Sequence, residues 1–331
     1  MKDKHPNYQT RFFEYIIKRR SKEEVLTTLM DTLFIKKGAA YKRINGDTAL
    51  TVQEMAVLSR EFNVSVDTAF GSPNFLSFQH PFMDQNTSID FLDRYAYYLK
   101  PLLSNMGTSQ LTYMANEIPI FYYFSHKYIF TFLLGIWNHL HWDEQRMVIR
   151  ENHSIDSQLE HLRKEISNYY ESHPVTEIWN SNMLSNLYQQ ILFSITIRAF
   201  ENQRFVNSLI EDIAVLISRM QELAGTGQKS PNADSNITIY LNEFGNYQNL
   251  ALYTSEKFST TFVGFDMPHF IVSYNDKFYD FAQHWITKIR NRSILISSEG
   301  YQFRELFFLK MNKDFEDFRD RVEKLMAVYY T

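Results

Sequence analysis

Apolar positions recur at helical spacing throughout the first 70 residues. Phe12, Phe13, Ile16 and Ile17 share the inner side of a helix predicted over Arg11 to Arg19. Ser21-Lys-Glu-Glu24 has the spelling of a capping box and opens a second helix carrying Val25, Leu26, Leu29 and Leu33. A shorter third helix is expected over about residues 36–45, stopped by Gly46. Thr51 then caps a fourth, with Val52, Met55, Ala56, Leu58 and Phe62 in period, and residues 63–70 add a short fifth.

Beyond this module the pattern changes twice. Residues 71–86 contain two prolines and few periodic positions, which reads as a linker. Helical spacing then predicts segments over residues 89–103, 109–117, 119–137, 154–170, 183–200 and 204–223. Residues 225–235 read as a flexible linker. After it Ile237, Ile239 and Leu241 alternate with polar neighbours, as on a half-buried strand. Further strands are expected over residues 250–254, 260–265, 270–274 and 294–296. Phe278, Phe281, Trp285 and Ile289 mark one intervening helix; Leu306, Phe307, Phe315, Phe318, Val322 and Leu325 mark a closing one. The expected fold is therefore mainly α: a helix-turn-helix domain over 1–70, an all-helical middle domain over 87–224, and an α+β domain over 236–331 with a small, mostly antiparallel sheet.

Charge changes this picture most. The net charge is −4, yet residues 1–46 hold eleven Lys and Arg against five Asp and Glu, a local +6 that leaves −10 for the rest. A basic module on an acidic body points toward an anionic partner. The absence of cysteine removes disulfides, thiolate metal sites and thiol catalysis, and fits a reducing, cytoplasmic setting. The 28 Phe and 21 Tyr predict ring-rich cores. The apolar stretch Ile118 to Trp137 approaches the length of a membrane span, but Ser125, His126 and Lys127 near its centre favour a buried helix and no membrane.

The short basic helix carries the functional information. With Ala40, Tyr41 and Ile44 facing inward, Lys36, Lys37, Ala39, Lys42, Arg43 and Asn45 are left to meet DNA, while Gly46 supplies the left-handed turn that ends the helix. Arg19 and Arg20, ahead of the second helix, are suited to phosphate contact. The stretch FIKKGAAYKRINGDTALTVQEMAVLSREFNVSVD resembles the DNA-binding domain of the Cro/C1-like (XRE) helix-turn-helix regulators. More narrowly, it is similar to a Bacteroidetes group of transcriptional regulators with BetR-like N-termini. The segment NEIPIFYYFSHKYIFTFLLGIW resembles a helix of their middle region. The resemblance implies sequence-specific binding of double-stranded DNA, a homodimer, and a body open to a small-molecule effector. It departs from the pattern at Lys36, where a Ser or Thr cap is usual, and at Gly38 inside the first turn.

Other motifs carry less. Gly225 to Ser230 lacks the Gly-Lys adjacency of a phosphate loop. His139 and His141 stand two apart on a helix and cannot chelate together. Asp314, Glu316, Asp317 and Asp320 line the solvated side of an amphipathic helix. No catalytic motif, metal site or cofactor is expected, so the chain reads as a non-enzyme. The contrasting expectation is a scaffold that uses its N-terminal helices to dock a protein and binds no DNA.

Overall fold

In a computed structural model of the chain the described residues are 7–62, 64–70, 76, 78–80, 90, 92–93, 95–96, 109–114, 116–141, 147–150, 157–230, 236–245, 248–256, 258–266 and 268–330. Five helices form the N-terminal module: α1 (Tyr8–Ile17), α2 (Lys22–Leu33), α3 (Lys37–Ile44), α4 (Val52–Glu61) and α5 (Val66–Phe70). Asn7 accepts from the Thr10 amide and so starts α1 three residues ahead of the predicted Arg11. Ser21 caps α2, whereas the Glu24 side chain turns to Arg20 and leaves the box half made. Thr51 and Glu54 complete a capping box on α4. Phe12, Phe13, Val25, Leu29, Ala40 and Leu58 sit in a core separate from that of the body.

The body is organised by one mixed sheet in the order β6-β5-β4-β1-β2-β3-β7. Its strands are β1 (Gln110–Met114), β2 (Val175–Trp179), β3 (Ile237–Leu241), β4 (Leu250–Thr254), β5 (Ser259–Asp266), β6 (His269–Ser273) and β7 (Ile294–Leu295). β1, β2 and β3 are parallel, and every other pairing is antiparallel. The helices are α6 (Ile120–Ser125), α7 (Lys127–His141), α8 (Ser157–Ser172), α9 (Ser185–Thr196), α10 (Gln203–Thr226), α11 (Asp276–Arg290) and α12 (Tyr301–Tyr329). Leu111, Tyr113, Val175, Trp179 and Ile237 share one sheet face and one core with helices α6 to α10 and α12. Met114, Ile178, Leu250 and Leu252 on the opposite face pack against Tyr279, Ala282 and Ile286 of α11.

This arrangement corrects the expected division of the body. Residues 110–114, expected to be helical, form β1, and β2 was not anticipated at all. Glu177 interrupts the apolar pattern of β2. Because β1 pairs with β4 and β2 with β3, strands from 87–224 and 236–331 lie in one sheet, and the two expected domains are a single unit. The stretch 225–235 is not a free linker where it is described. α10 runs to Thr226, Gly227 (φ 68°) caps it, and Lys229 is buried. The expected linker 71–86 likewise engages the body, since Gln79 exchanges backbone hydrogen bonds with Val272 of β6. The apolar stretch divides at His126 into α6 and α7. Among the described residues no helix is long and apolar enough to cross a membrane. The helix expected over 89–103 falls mostly outside the described residues.

Glu177 sits fully buried in the centre of the sheet. Its Oε1 accepts from Tyr170 (2.6 Å), and its Oε2 accepts from Trp179 Nε1 (2.7 Å) and Tyr122 (3.1 Å). Lys229 Nζ donates to the carbonyls of Tyr170 (2.6 Å) and His173 (2.9 Å) and lies 3.5 Å from the Tyr170 ring centre. Burial pushes the Glu177 carboxyl up and the Lys229 ammonium down, and the attraction between the two opposes both shifts. The knot ties β2 to α6, α8 and the chain after α10. Glu177→Leu would strand three buried donors and is expected to cost about 3–5 kcal/mol. Glu177→Gln, which retains an acceptor, is expected to lose less; urea midpoints of the two variants test the order.

Candidate nucleic-acid interface

α2 and α3 are joined by three residues, Phe34 to Lys36, the span of a helix-turn-helix turn. Phe34 closes α2 in the left-handed region (φ 53°, ψ 44°) and is 95% exposed. Glycine would hold this conformation without strain; a bulky residue there costs about 1–2 kcal/mol. Ile35, next along, packs on the module core and fixes the angle of α3. Lys36 is the N-cap of α3, and no side chain caps that end. At Gly38 open space surrounds the position of an absent Cβ, so backbone amides stand bare at the positive end of the helix dipole. The far end turns at Gly46 (φ 82°), where a Cβ would meet Asn7 Nδ2 at 2.5 Å.

The residues expected to meet DNA divide by environment. Lys36, Lys37, Lys42 and Asn45 are exposed, and Ala39 is half-buried among them. Ala40 and Ile44 face the core as expected, but Tyr41 is turned outward, with Lys22 Nζ 5.9 Å from its ring centre. Arg43 is not among the exposed set. Its Nε and Nη2 both donate to Glu54 Oε1, at 3.2 and 2.9 Å, and only 17% of its side chain is exposed. It acts as a strut between α3 and α4. Gln9 adds a second tie, donating to the carbonyls of Arg43 and Thr48 and accepting from Leu50 N–H.

The two arginines ahead of α2 are also engaged within the protein. Arg19 stacks on Tyr15 at 3.7 Å, donates to the Tyr274 carbonyl at 2.9 Å and comes within 3.9 Å of Asp276. Tyr15 donates its hydroxyl to the same carbonyl at 3.2 Å. Burial raises the Tyr15 phenol to about 12, so it remains a neutral donor. Arg19 therefore joins the module to the body at the end of β6 rather than facing phosphate. Arg20 pairs with Glu24 at 3.1 Å and reaches toward the Phe62 carbonyl at 3.4 Å, with part of its side chain exposed.

Phe34, Tyr15 and the internal roles of Arg19 and Arg43 were not anticipated from the sequence. No glycine marks the αL turn at Phe34. Elsewhere, His141 and His80 approach His269 with ring centres at 4.4 and 5.7 Å. Among the described residues no group of histidines and carboxylates is set to hold a metal ion.

Arg43→Ala is expected to destabilise the module by about 1–2 kcal/mol, by removing a partly buried charged hydrogen bond. The amide and hydroxyl of Thr51 and the Arg43 guanidinium hold the Glu54 carboxyl below its ordinary range. A depressed carboxylate contributes stability at neutral pH and loses it as pH falls through the lowered value. The difference in unfolding free energy between wild type and Arg43→Ala should thus shrink on acidification, as tested by denaturant melts from neutral pH to below the carboxylate range.

No family model matches the chain, and neither does any curated protein or solved structure.

Proposed function

We propose that the protein is a sequence-specific DNA-binding transcriptional regulator that places α3 in the major groove. The supporting observation is the α2–turn–α3 unit: a short helix with an uncapped N-terminus, a bare Gly38 and exposed Lys36, Lys37 and Lys42 around it. Backbone amides at a helix start, together with lysines, form an anion-binding end suited to phosphate. Ala39 and Asn45 lie on the same helix, and Asn pairs with adenine in the groove. Phe34 adds an apolar group to this surface, of the kind that contacts a thymine methyl. The resemblance to Cro/C1-like regulators points the same way. A module of this size binds a specific site tightly as one of two copies, so a cytoplasmic homodimer on a two-fold related operator completes the reading.

Selection from random duplexes with the full-length protein should enrich a palindromic or repeated site. In the triple variant Lys36→Ala/Lys37→Ala/Lys42→Ala the slope of log affinity against log salt should flatten by about one for each phosphate that is no longer neutralised. Absence of enrichment, or identical slopes, would remove the DNA reading. Phe34→Gly separates binding from folding. Relief of αL strain should raise module stability by about 0.5–1 kcal/mol while affinity for the selected site falls.

A further inference from the structure

A cavity of about 200 Å³ opens on the sheet face that α6 and α8 cover. Tyr113 of β1 and its cross-strand partner Ala251 of β4 form the floor. Phe121 of α6 and Tyr169 of α8 stand on one side, and Phe262 and Phe270 of β5 and β6 on the other. The rings brace one another edge to face: Phe262 and Phe270 lie 5.3 Å apart at 79°, Tyr113 and Phe121 6.2 Å apart at 76°. Exposed Gln248 and Phe265 mark the mouth. A cavity of about 150 Å³ with apolar walls holds benzene, so this one has room for a benzene ring with one or two small substituents.

The polar groups of the lining decide what such a ring can carry. No lysine or arginine lines the cavity among the described residues. Glu117 does, but its Oε1 accepts from Asn186 Nδ2 at 3.1 Å, so the carboxylate is engaged within the protein. Asn249 Oδ1 likewise accepts the amide of Asn116 at 3.0 Å. A ligand charge of either sign would leave water with no counter-charge held in reserve for it, a cost that a neutral ligand avoids. Tyr169 differs from these groups. Its residue is 2% exposed, and its hydroxyl has no hydrogen-bond partner among the described residues. The 4.3 Å contact with His173 uses its ring. A buried hydroxyl without a partner is costly, and an oxygen on a ligand in this cavity relieves that cost.

We propose that the cavity binds a small neutral phenol, a single ring bearing one hydroxyl group. The ring lies among Phe121, Phe262 and Phe270, and the ligand oxygen pairs with the Tyr169 hydroxyl. A hydroxyl both donates and accepts, so it answers Tyr169 whichever way that proton points. The site is argued from the body alone and does not rest on the DNA-binding reading.

Calorimetric titration of the full chain with p-cresol, toluene, 4-methylbenzoate and 4-methylbenzylamine at neutral pH tests the site. Toluene keeps the ring of p-cresol and lacks only the oxygen, whereas the other two carry a charge. p-Cresol should bind about fivefold more tightly than toluene, the worth of one net hydrogen bond. Both charged rings should bind more weakly than p-cresol by about tenfold or more. Tyr169→Phe should bring p-cresol and toluene to equal affinity, because it removes the hydroxyl and keeps the ring. Ala251→Val, which raises the floor with a residue suited to a strand, should weaken p-cresol by about fivefold or more. The proposal is overturned if p-cresol does not bind or shows no advantage over toluene. It is equally overturned if a charged ring binds as tightly, if the advantage over toluene survives Tyr169→Phe, or if Ala251→Val leaves the affinity unchanged.

Discussion

A carboxylate with no exposure at the centre of a sheet must be answered by donors, and the body is arranged around that requirement. Glu177 on β2 draws Tyr122 from α6, Tyr170 from α8 and the neighbouring Trp179 indole to one point. Lys229 then follows α10 into the same interior and directs its donors to the carbonyls that end α8. Apolar packing alone would let these helices slide over the sheet, since it is not directional. Three donors on one carboxylate fix their positions. The parallel register of β1, β2 and β3, with Tyr113 opposite Glu177 and Glu177 opposite Ile239, places the carboxylate among those donors.

The second organising contact is a single backbone carbonyl. Tyr274 follows the last residue of β6, where the sheet gives way to α11, and its carbonyl oxygen is taken up by both Tyr15 and Arg19. Two donors on one carbonyl, one of them charged and stacked on the other's ring, make a joint between two otherwise separate hydrophobic cores. The joint leaves α3 clear of this contact, because it uses α1 and the turn before α2. Gln79 pairs with Val272 two residues before Tyr274, so the connecting chain returns to the same strand.

Within the module, charges that look interchangeable in the sequence divide by where the backbone puts them. Arg43 points at Glu54, which is itself oriented by the amide and hydroxyl of Thr51. Lys42, one position earlier and about 100° around the helix, has no such carboxylate beside it among the described residues and is exposed. Phe34 is the converse case, an apolar side chain turned outward because the left-handed turn that positions Ile35 for the core leaves its own ring no place inside.

The sequence by itself determined the five-helix module closely. Its caps at Ser21 and Thr51, its stop at Gly46 and its inward Phe12, Val25, Leu29 and Leu58 are local signals, readable within one or two turns. The later helices and β3 to β6 were legible for the same reason. What only the tertiary structure decided depends on residues far apart in the chain. β1 and β2 are settled by their long-range pairing with β4 and β3. The burial of Lys229 in a segment with loop composition depends on the carbonyls of Tyr170 and His173, 59 and 56 positions away. The engagement of Arg19 and Arg43 was likewise hidden, because a cation's role is set by the carbonyl or carboxylate that the fold brings to it, and Tyr274 lies 255 positions from Arg19.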